Sequence, residues 1–328
     1  MGRSVDKWVK ENNFSCEEFS EIGNLVRLKN EKGLKISLCI PTLNEEKTVG
    51  KIIRVIKKTC VKEHKLLDEI AVIDSGSKDK TKEVATKAGA DFYPAKNFLK
   101  ELGPCKGKGE NLWKALYLLK GDIIAWIDGD IKNIHPRFVY GLVGPLLLYD
   151  YIKYVKPYYK RPLKIGKMLY PSGGGRVTEI LVRPLFNMFF PKLTGFFQPL
   201  SGEGAGRREI LERIPYFTGY GVETAMLIDI KRKFGLRFIA QVDLIERVHR
   251  NQPLENLSRM AYGILQVFVK RANALGKMIT PKAIKQTYSF IDSTLGSPFE
   301  LMHKKIIEVQ RPPMIKVRAY REKFYKKA

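Results

Sequence analysis

The sequence predicts an α/β fold, in which helices pack on both faces of a central sheet. Short apolar runs bounded by turn-forming residues alternate along the chain with segments whose apolar residues recur at helical spacing. Each of these runs is also followed by a polar loop, as expected where parallel strands end. The chain has 328 residues, of which 44% are hydrophobic and 28% charged, enough for one large domain or two smaller ones.

The first two predicted strands are each followed by a polar loop and then a helix. Residues 34–40 form the first strand, which Pro41 is expected to end, and a helix starts at about Thr48. Residues 68–74 form the second strand, with 75–79 as its loop and a helix after it. Because parallel strands end at the same edge of a sheet, Asn44 and Ser75 are expected to lie near one another.

The apolar run 123–127 is the third predicted strand, and Asp128 and Asp130 follow it directly. Gly129 between them lets the backbone turn sharply and a bulky ligand come close. Two carboxylates at this position can share one divalent cation and, through it, a diphosphate. A turn whose aspartates make only local hydrogen bonds is the alternative for this stretch alone. Three polar loops at one edge favour ligand binding.

A glycine-rich loop at 103–110 precedes the acidic strand and contains Lys108. The glycines around Lys108 let the backbone approach a phosphate, and the lysine supplies a compact positive charge. The spacing is not that of a Walker loop. A solvated basic loop is the alternative, but its position before the acidic strand favours phosphate contact.

The second half of the chain contains a glycine-rich segment that ends in Arg176 and Thr178. A guanidinium binds a carboxylate or phosphate bidentately, and the threonine hydroxyl can donate one more hydrogen bond. A glycine hinge with an incidental arginine is an equal alternative for these residues by themselves. Glu223 opens a later apolar helix, where it either binds a sugar hydroxyl or complements the helix dipole.

Residues 238–245 form another predicted strand, followed by an extended segment. Alternation in an extended chain places Arg247, His249 and Asn251 on one side, as expected for one face of a charged site.

The net charge of +25 predicts an anionic partner, namely a phosphorylated small molecule, a nucleic acid or an acidic membrane surface. Nine Lys or Arg lie between Lys304 and Lys327, with Tyr320 among them. That pattern is typical of nucleic-acid binding, but a basic helix packed on its aromatic side fits it at least as well. The four widely spaced cysteines predict reduced thiols in a cytoplasmic protein. The apolar region 181–200 is interrupted by charged residues and proline, so no transmembrane helix is expected.

Taken in order, the motifs Pro-Thr-Leu-Asn-Glu-Glu, Asp-Ser-Gly-Ser-Lys-Asp, Gly-Lys-Gly-Glu and Asp-Gly-Asp resemble the nucleotide-sugar domain of GT-A glycosyltransferases. The later motifs Gly-Gly-Arg-Val-Thr, Gly-Val-Glu and Arg-Val-His-Arg-Asn resemble the retaining family of glucosyl- and mannosyl-3-phosphoglycerate synthases. The resemblance covers about residues 36–253. It implies a GT-A, Rossmann-like nucleotide-sugar domain with a mixed sheet, a smaller acceptor-binding α/β region and a helical C-terminal tail.

The resemblance also implies a role for each residue that matches a motif. The predicted metal ligands are Asp130 and His249, for Mg²⁺ or Mn²⁺. The predicted catalytic residues are Asp128, Asp130, Glu223 and Arg247. The predicted residues for 3-phosphoglycerate are Gly175, Arg176, Val177, Thr178 and Asn251. The predicted donor-binding residues are Pro41, Thr42, Leu43, Asn44, Glu45, Ser75, Lys108, Asp128, Gly129, Asp130, Tyr220, Gly221, Val222, Glu223 and Arg247. Thr42 stands where alanine is frequent and Gly129 where serine is frequent, which leaves the base and the hexose open.

The activity that the resemblance implies is retaining transfer of glucose from a nucleoside diphosphate glucose to the 2-hydroxyl of 3-phospho-D-glycerate. Mannosyl transfer to the same acceptor and, more remotely, transfer to a polyprenyl phosphate are the alternatives. A cytoplasmic homodimer that binds small molecules, and neither nucleic acid nor membrane, is expected. The expected division of the chain is a helical lead-in at 1–33, a nucleotide-sugar region at 34–150, an acceptor-binding and metal-completing region at 151–260, and a helical, basic extension at 261–328.

Overall fold

An eight-stranded mixed sheet forms the centre of the molecule in the computed structural model. The structure describes residues 2–161, 163–165, 168–170, 175–248, 252–278, 286–292 and 300–325. Within them the strands are Asn13–Ser15 (β1), Ile36–Thr42 (β2), Glu69–Asp74 (β3), Asp91–Pro94 (β4), Ile123–Trp126 (β5), Tyr154–Lys160 (β6), Leu163–Ile165 (β7), Met168–Tyr170 (β8), Gly204–Arg207 (β9), Tyr216–Phe217 (β10), Ile239–Glu246 (β11), Thr287–Asp292 (β12), Glu300–Lys305 (β13) and Gln310–Arg311 (β14).

The strand order in the main sheet is β1-β11-β6-β9-β5-β2-β3-β4. Seven of these strands run parallel to one another, and β9 is antiparallel to both of its neighbours, β5 and β6. The carboxyl ends of the seven strands therefore meet at one edge, and β9 enters the sheet from that same edge. The sheet thus brings loops from both halves of the chain together.

Helices cover both faces of this sheet. They are Gly2–Glu11 (α1), Ile22–Glu31 (α2), Val49–Ile56 (α3), Thr81–Ala88 (α4), Lys108–Leu118 (α5), Arg137–Leu148 (α6), Arg183–Phe189 (α7), Arg208–Leu211 (α8), Val222–Lys233 (α9), Leu254–Ala274 (α10) and Arg318–Phe324 (α11). Alternate residues of a strand enter different cores, as the two-residue period requires. Leu38 and Ile40 pack in one cluster and Cys39 in the other. β2 is buried on both faces, and its sequence is mostly apolar, with Ser37 and Thr42 as its polar residues.

The three strands predicted before residue 130 and the strand predicted at 238–245 are present, with ends that differ by one or two residues. The prediction that Pro41 ends the first strand was wrong, since β2 continues to Thr42 and Pro41 pairs with Ile73. The ladder between β2 and β5 ends at Cys39, so the missing N–H of Pro41 breaks no bond on that side.

Two predicted helical regions also contain strands. The lead-in at 1–33 has two helices, but β1 lies between them and pairs with β11. The extension beginning at residue 261 includes most of α10 and all of α11, with the hairpin β12–β13 and the strand β14 between them. β1 and β14 pair with distant segments, β11 and β10, and local periodicity does not report such pairings.

The described part of the C-terminal tail is packed against the rest of the chain. Tyr320 is fully buried, and its hydroxyl donates to Glu212 Oε2 at 2.5 Å. The tail helix α11 is therefore packed on its aromatic side, as in one of the two interpretations of the basic tail given above. None of the described helices is both long and apolar enough to cross a membrane.

Candidate active site

Polar side chains from four parallel strands meet at the carboxyl edge of the sheet. Thr42 ends β2 and Asp74 ends β3, while Asp128 and Arg247 follow β5 and β11 by one or two residues. Glu203 reaches the same edge because it directly precedes β9, the strand that enters the sheet there. The sheet topology therefore assembles the site, as expected for an α/β protein.

A cavity of about 300 Å³ opens above β2, β3 and β5. Ten of the residues predicted for the donor line it, and Gly107, Asn111 and Gly219 complete the lining. The ten are Pro41, Thr42, Leu43, Glu45, Ser75, Lys108, Asp128, Gly129, Asp130 and Tyr220. We call this space the donor cavity.

The first loop of the donor cavity is held by hydrogen bonds to the second. Asn44 has a positive φ of 60°, its N–H donates to Ser77 Oγ at 2.7 Å, and its Oδ1 accepts from Lys78 N at 2.9 Å. Asp74 accepts from Thr42 Oγ1 at 2.9 Å and from two backbone N–H groups of its own loop at 2.8 Å. Asn44 and Asp74 therefore shape the two loops, and neither lines the donor cavity.

Asp128 and Asp130 lie at the floor of the donor cavity, where one guanidinium contacts both. Arg247 Nη2 is 2.8 Å from Asp128 Oδ2 and 2.8 Å from Asp130 Oδ1, and its Nε is 2.9 Å from Glu203 Oε1. Arg247 is nearly buried and Glu203 is fully buried. Burial raises the pKa of Asp130, Arg247 opposes this effect, and the charge of Asp128 adds to it. Two acidic groups are thus crowded beside one fixed positive charge.

Lys108 is the first residue of α5 and connects the acid pair with Glu223. Its Nζ lies 2.5 Å from Asp128 Oδ1, 3.2 Å from Glu223 Oε1 and 2.5 Å from the carbonyl oxygen of Gly202. Burial works against the charge of Lys108, but the carboxylates of Asp128 and Glu223 outweigh burial and raise its pKa. Lys108 is therefore a permanent cation at the centre of the site.

A second cavity of about 220 Å³ lies on the other side of Lys108 and Asp128. Arg161, Arg176 and Arg247 all line it, and we call it the basic cavity. Arg161 Nη2 donates to Tyr159 Oη at 3.1 Å, and Arg176 Nη2 donates to the carbonyl oxygen of Gln252 at 2.8 Å. The other lining residues are Lys108, Asp128, Gly175, Val177, Thr178, Leu200, Gly202, Tyr220, Glu223, Gln252, Leu257, Met260 and Ile264.

The two cavities share Lys108, Asp128 and Tyr220, so they are adjacent parts of one site. The donor cavity has the acid pair and the polar loops, whereas the basic cavity has three guanidinium groups. Chemically, the first suits a cation with a diphosphate, and the second suits a small acid with several negative charges.

Three predicted site residues lie outside both cavities, and two more are not among the described residues. Asn44, Gly221 and Val222 do not line either cavity, and Val222 is buried in the core at the start of α9. The N–H of Gly221 instead donates to Glu308 at 3.3 Å. His249 lies outside the described residues, and so does Asn251.

Several lining residues were not predicted from the sequence. Asn111 accepts a hydrogen bond from Ser75 Oγ at 3.1 Å, and its position three residues after Lys108 was the one available signal. Gly202 and Arg161 belong to no recognisable sequence motif, so no local signal indicated them. In the part of the chain that the structure describes, this site included, no three His, Cys, Asp or Glu side chains are arranged to hold a metal ion.

Comparison with known proteins identifies relatives over almost the full length. Residues 37–213 match the family model described as glycosyl transferase family 2. The chain is 51% identical to the glucosyl-3-phosphoglycerate synthase of Petrotoga mobilis, in an alignment that covers 97% of this chain and 98% of the relative.

The fold is also similar to that of solved crystal structures, including the two that follow. The mannosyl-3-phosphoglycerate synthase of Rubrobacter xylanophilus superposes with a TM-score of 0.86 at 35% identity, covering 94% of this chain and 97% of the other. The glucosyl-3-phosphoglycerate synthase of Mycobacterium tuberculosis, in complex with Mn²⁺, uridine diphosphate glucose and phosphoglyceric acid, gives 0.76 at 38% identity, covering 89% and 94%.

Proposed function

The chain belongs to glycosyl transferase family 2 and, within it, to the glucosyl-3-phosphoglycerate synthases, and from this premise we propose that it glucosylates 3-phospho-D-glycerate. Glucose moves from a nucleoside diphosphate glucose to the 2-hydroxyl of the acceptor, with retention at the anomeric carbon. The observation that carries the proposal is the junction of the donor cavity with a basic cavity lined by Arg161, Arg176 and Arg247. 3-Phosphoglycerate has a phosphate and a carboxylate, which three guanidinium groups can neutralise.

In the donor cavity we assign the nucleotide to the loops after β2 and β3. Ser75 and the carboxylate of Glu45 line the space for the base and ribose, and Lys108 faces the diphosphate. The crystal structure of the M. tuberculosis enzyme contains uridine diphosphate glucose, and we propose the same base for the donor here. Asn44 shapes the loop through its bonds to Ser77 and Lys78 rather than by touching the donor.

Asp128 and Asp130 fit a divalent cation, because two carboxylates crowd together at the cavity floor, where burial raises the pKa of Asp130. Mg²⁺ and Mn²⁺ bind to a few carboxylates together with phosphate oxygens and water. We propose Asp130 and His249 as ligands, with Asp128 supporting the nucleotide sugar. A bound cation acts as a Lewis acid on the leaving diphosphate. Arg247 and Lys108 add fixed positive charge beside the same place.

In the basic cavity we assign the acceptor to Arg176 and Thr178, with Arg161 as an additional anion-binding group. Gly175 and Val177 complete the lining, and Asn251 remains a predicted ligand of the acceptor. These residues hold the 2-hydroxyl next to the donor, and such proximity contributes on the order of 7 to 11 kcal/mol when the geometry is good.

For retention we propose attack on the same face as the departing phosphate, whose oxygen accepts the proton of the acceptor hydroxyl. Glu223 then positions the donor, since its carboxylate is already engaged by Lys108 at 3.2 Å. Double displacement with Glu223 as the nucleophile is the alternative. The variant Glu223→Gln distinguishes the two mechanisms by its turnover. It retains partial turnover in the first mechanism. In the second it cannot form the covalent glucosyl intermediate and therefore loses turnover.

The experiment is a panel of uridine and guanosine diphosphate glucose and mannose with 3-phosphoglycerate, with and without a chelator. We expect turnover with the glucose donors in the absence of detergent, loss of turnover with the chelator, and an α-linked product by NMR coupling constants. No turnover with any of the four donors would refute the proposed function.

Mannosyl transfer to the same acceptor is the second candidate, because the mannosyl-3-phosphoglycerate synthase structure superposes with a TM-score of 0.86. Faster turnover with a mannose donor than with a glucose donor in the same panel would establish it.

Three coarser assignments accompany this proposal. We propose that residues 34–150 bind the nucleotide sugar and that residues 151–260 bind the acceptor and complete the metal site. We propose a homodimer, testable by light scattering on the purified protein. A cytoplasmic location stays a prediction.

A further inference from the structure

A short segment of the C-terminal tail contacts a loop that lines the donor cavity, although the tail contributed nothing to the resemblance. The segment comprises Glu308, Val309, Gln310 and Arg311, and we call it the tail clamp. Its strand, β14, pairs antiparallel with β10, which leads directly into the loop at 219–221. The N–H of Thr218 also donates to the carbonyl oxygen of Val309 at 3.0 Å. The tail clamp therefore adjoins a loop that lines both cavities.

Glu308 holds this loop through its side chain. Its Oε2 accepts from the N–H of Gly219 at 3.1 Å, and its Oε1 accepts from the N–H of Gly221 at 3.3 Å. The carboxylate is nearly buried, and a Cβ atom on Gly219 would overlap Oε1. Glycine at position 219 thus permits the close approach. An ionised carboxylate is suited to this role because both of its oxygens accept hydrogen bonds.

Tyr220 lies between the two glycines held by Glu308. Its side chain lines the donor cavity and the basic cavity, yet it is 57% exposed, so few contacts of its own fix it. A loop with glycine on both sides of one aromatic residue has large backbone freedom. The two hydrogen bonds to Glu308 restrict that freedom where the donor and the acceptor meet.

Arg311 holds the other side of the donor cavity. Its Nε lies 2.8 Å from Glu110 Oε2 and its Nη2 lies 3.0 Å from Glu110 Oε1, a bidentate pair in which Glu110 is fully buried. Nη2 also donates to the carbonyl oxygen of Gly103 at 2.8 Å. Glu110 is in the first turn of α5, two residues after Lys108. Arg311 therefore fixes the helix start that presents Lys108.

We propose that the tail clamp positions the donor site, with Glu308 fixing the loop of Tyr220 and Arg311 fixing the helix start of Lys108. This inference rests on the proposed function for its kinetic consequences. Glu308 and Arg311 are positioning residues, because they act through Tyr220 and Lys108 and line neither cavity.

The charge state of Glu308 gives the tail clamp a pH signature. Burial raises the pKa of Glu308 to about 7, against the N–H groups of Gly219 and Gly221, which lower it. Among the other elements that pack here, Glu223 on α9 raises this pKa and Lys270 on α10 lowers it. A protonated carboxyl loses one acceptor oxygen, so the loop of Tyr220 is held less well below pH 7.

The test compares Glu308→Gln with wild type in steady-state kinetics. The amide keeps the shape but can accept only one of the two N–H groups, so we expect the donor KM to rise by about tenfold, the effect of losing one hydrogen bond to a charged group. The acceptor KM changes less than twofold, and the melting temperature stays within a few degrees. Wild type shows a rising donor KM below pH 7, and the rise is smaller in Glu308→Gln, because Glu45 in the donor cavity, whose pKa burial raises to about 7, titrates in both proteins. The matched control is Arg318→Gln on α11 of the same tail, an 85% exposed side chain, which leaves all three quantities unchanged.

Arg311→Lys provides a second variant if Glu308→Gln folds poorly. It keeps the charge but cannot form the bidentate pair with Glu110, and it should also raise the donor KM. Unchanged donor KM in folded protein for both variants would overturn the proposal.

Amide hydrogen exchange at 219–221 separates this proposal from the proposed function, since it needs no substrate. Faster exchange in Glu308→Gln supports the tail clamp, even if wild type fails to turn over the donor panel. Exchange equal to that of wild type would overturn it.

Discussion

Arg247 contacts Asp130 through a short ion pair, with Nη2 2.8 Å from Oδ1. The two residues follow β11 and β5, which lie three places apart in the sheet, and they come from different halves of the chain. The contact brings a fixed positive charge of the basic cavity against one of the carboxylates proposed to hold the cation. The two halves of the site are therefore coupled electrostatically.

The first prediction concerns this coupling. Arg247→Met leaves Glu203, which is fully buried, without its guanidinium partner and leaves the acid pair uncompensated. Breaking a buried pair by removing one partner costs about 3–5 kcal/mol, so we expect a loss of that size in the free energy of unfolding. Urea denaturation measures it. Arg247→Lys keeps the positive charge but lacks the planar guanidinium group with its several N–H donors, so its loss in the free energy of unfolding should be smaller. Arg318→Gln is the control. A Met variant as stable as wild type would contradict the prediction.

The second prediction concerns the approach of Gly202 to the centre of the site. A Cβ atom at this position would overlap Asp128 Oδ2 and lie 2.6 Å from Lys108 Nζ. We expect Gly202→Ala to displace the ion pair of Lys108 with Asp128 and to reduce kcat/KM by at least about a hundredfold, because small misplacements cost this much in a positioned site. Steady-state kinetics measures it.

A graded pair of controls accompanies Gly202→Ala. A Cβ atom at Gly129 would meet Thr42 and Glu45 at 3.1 and 3.2 Å, so Gly129→Ala should have a milder effect. Gly23 in α2 has no atom within 4 Å of such a Cβ, so Gly23→Ala should leave activity unchanged. If all three alanine variants have the same activity, the close packing at Gly202 has no functional role.

The third prediction separates the acceptor from the donor. Arg176 lines only the basic cavity, where its Nη2 donates to the carbonyl oxygen of Gln252. Arg176→Ala should raise the acceptor KM by about tenfold to a hundredfold, the effect of one lost charged hydrogen bond, and should leave the donor KM almost unchanged. Kinetics with each substrate varied in turn measures the split. Equal changes in both KM values would count against the assignment of the basic cavity.

The donor half of the site could be predicted because its signals are local. Each strand there is an apolar run, and its polar loop follows within a few residues. The parallel direction of the strands is therefore enough to predict that Thr42, Ser75 and Asp128 lie at one edge. The part of the donor cavity that they line needed no long-range information, whereas Gly219 and Tyr220 come from the second half of the chain.

The rest of the site depends on pairings that the sequence does not reveal. β9 reads Gly-Ala-Gly-Arg, without alternating apolar residues, so its insertion between β5 and β6 could not be predicted. That insertion is what brings Gly202 and Glu203 to the edge. Glu308 reaches its loop from about 90 residues further along the chain, and the tail composition indicated either nucleic-acid binding or a packed basic helix, not a contact with this loop. The local periodicity of the sequence predicts neither the insertion of β9 nor the contact of Glu308 with its loop.

The last prediction concerns Lys156, a lysine on β6 that is almost completely buried and whose Nζ donates to the carbonyl oxygen of Ser201 at 2.5 Å. Burial lowers the pKa of Lys156 to about 8, although Glu223 opposes the change. A lysine with a lowered pKa costs stability while it is charged in the folded state, which holds below pH 8. The cost disappears as the pH rises toward the usual value of about 10.5, where the unfolded chain also loses the proton.

Wild type should therefore gain stability relative to Lys156→Met between pH 8 and 10, by up to about 1.4 kcal/mol per pH unit. The measurement is the difference in the free energy of unfolding between the two proteins, from urea denaturation at several pH values. Lys156→Gln removes the titrating group but keeps a polar side chain, so its difference from wild type should follow the same pH dependence. A difference that does not vary with pH would mean that the ammonium group stays charged in the folded protein throughout this range, held by Ser201 and Glu223 against the cost of burial.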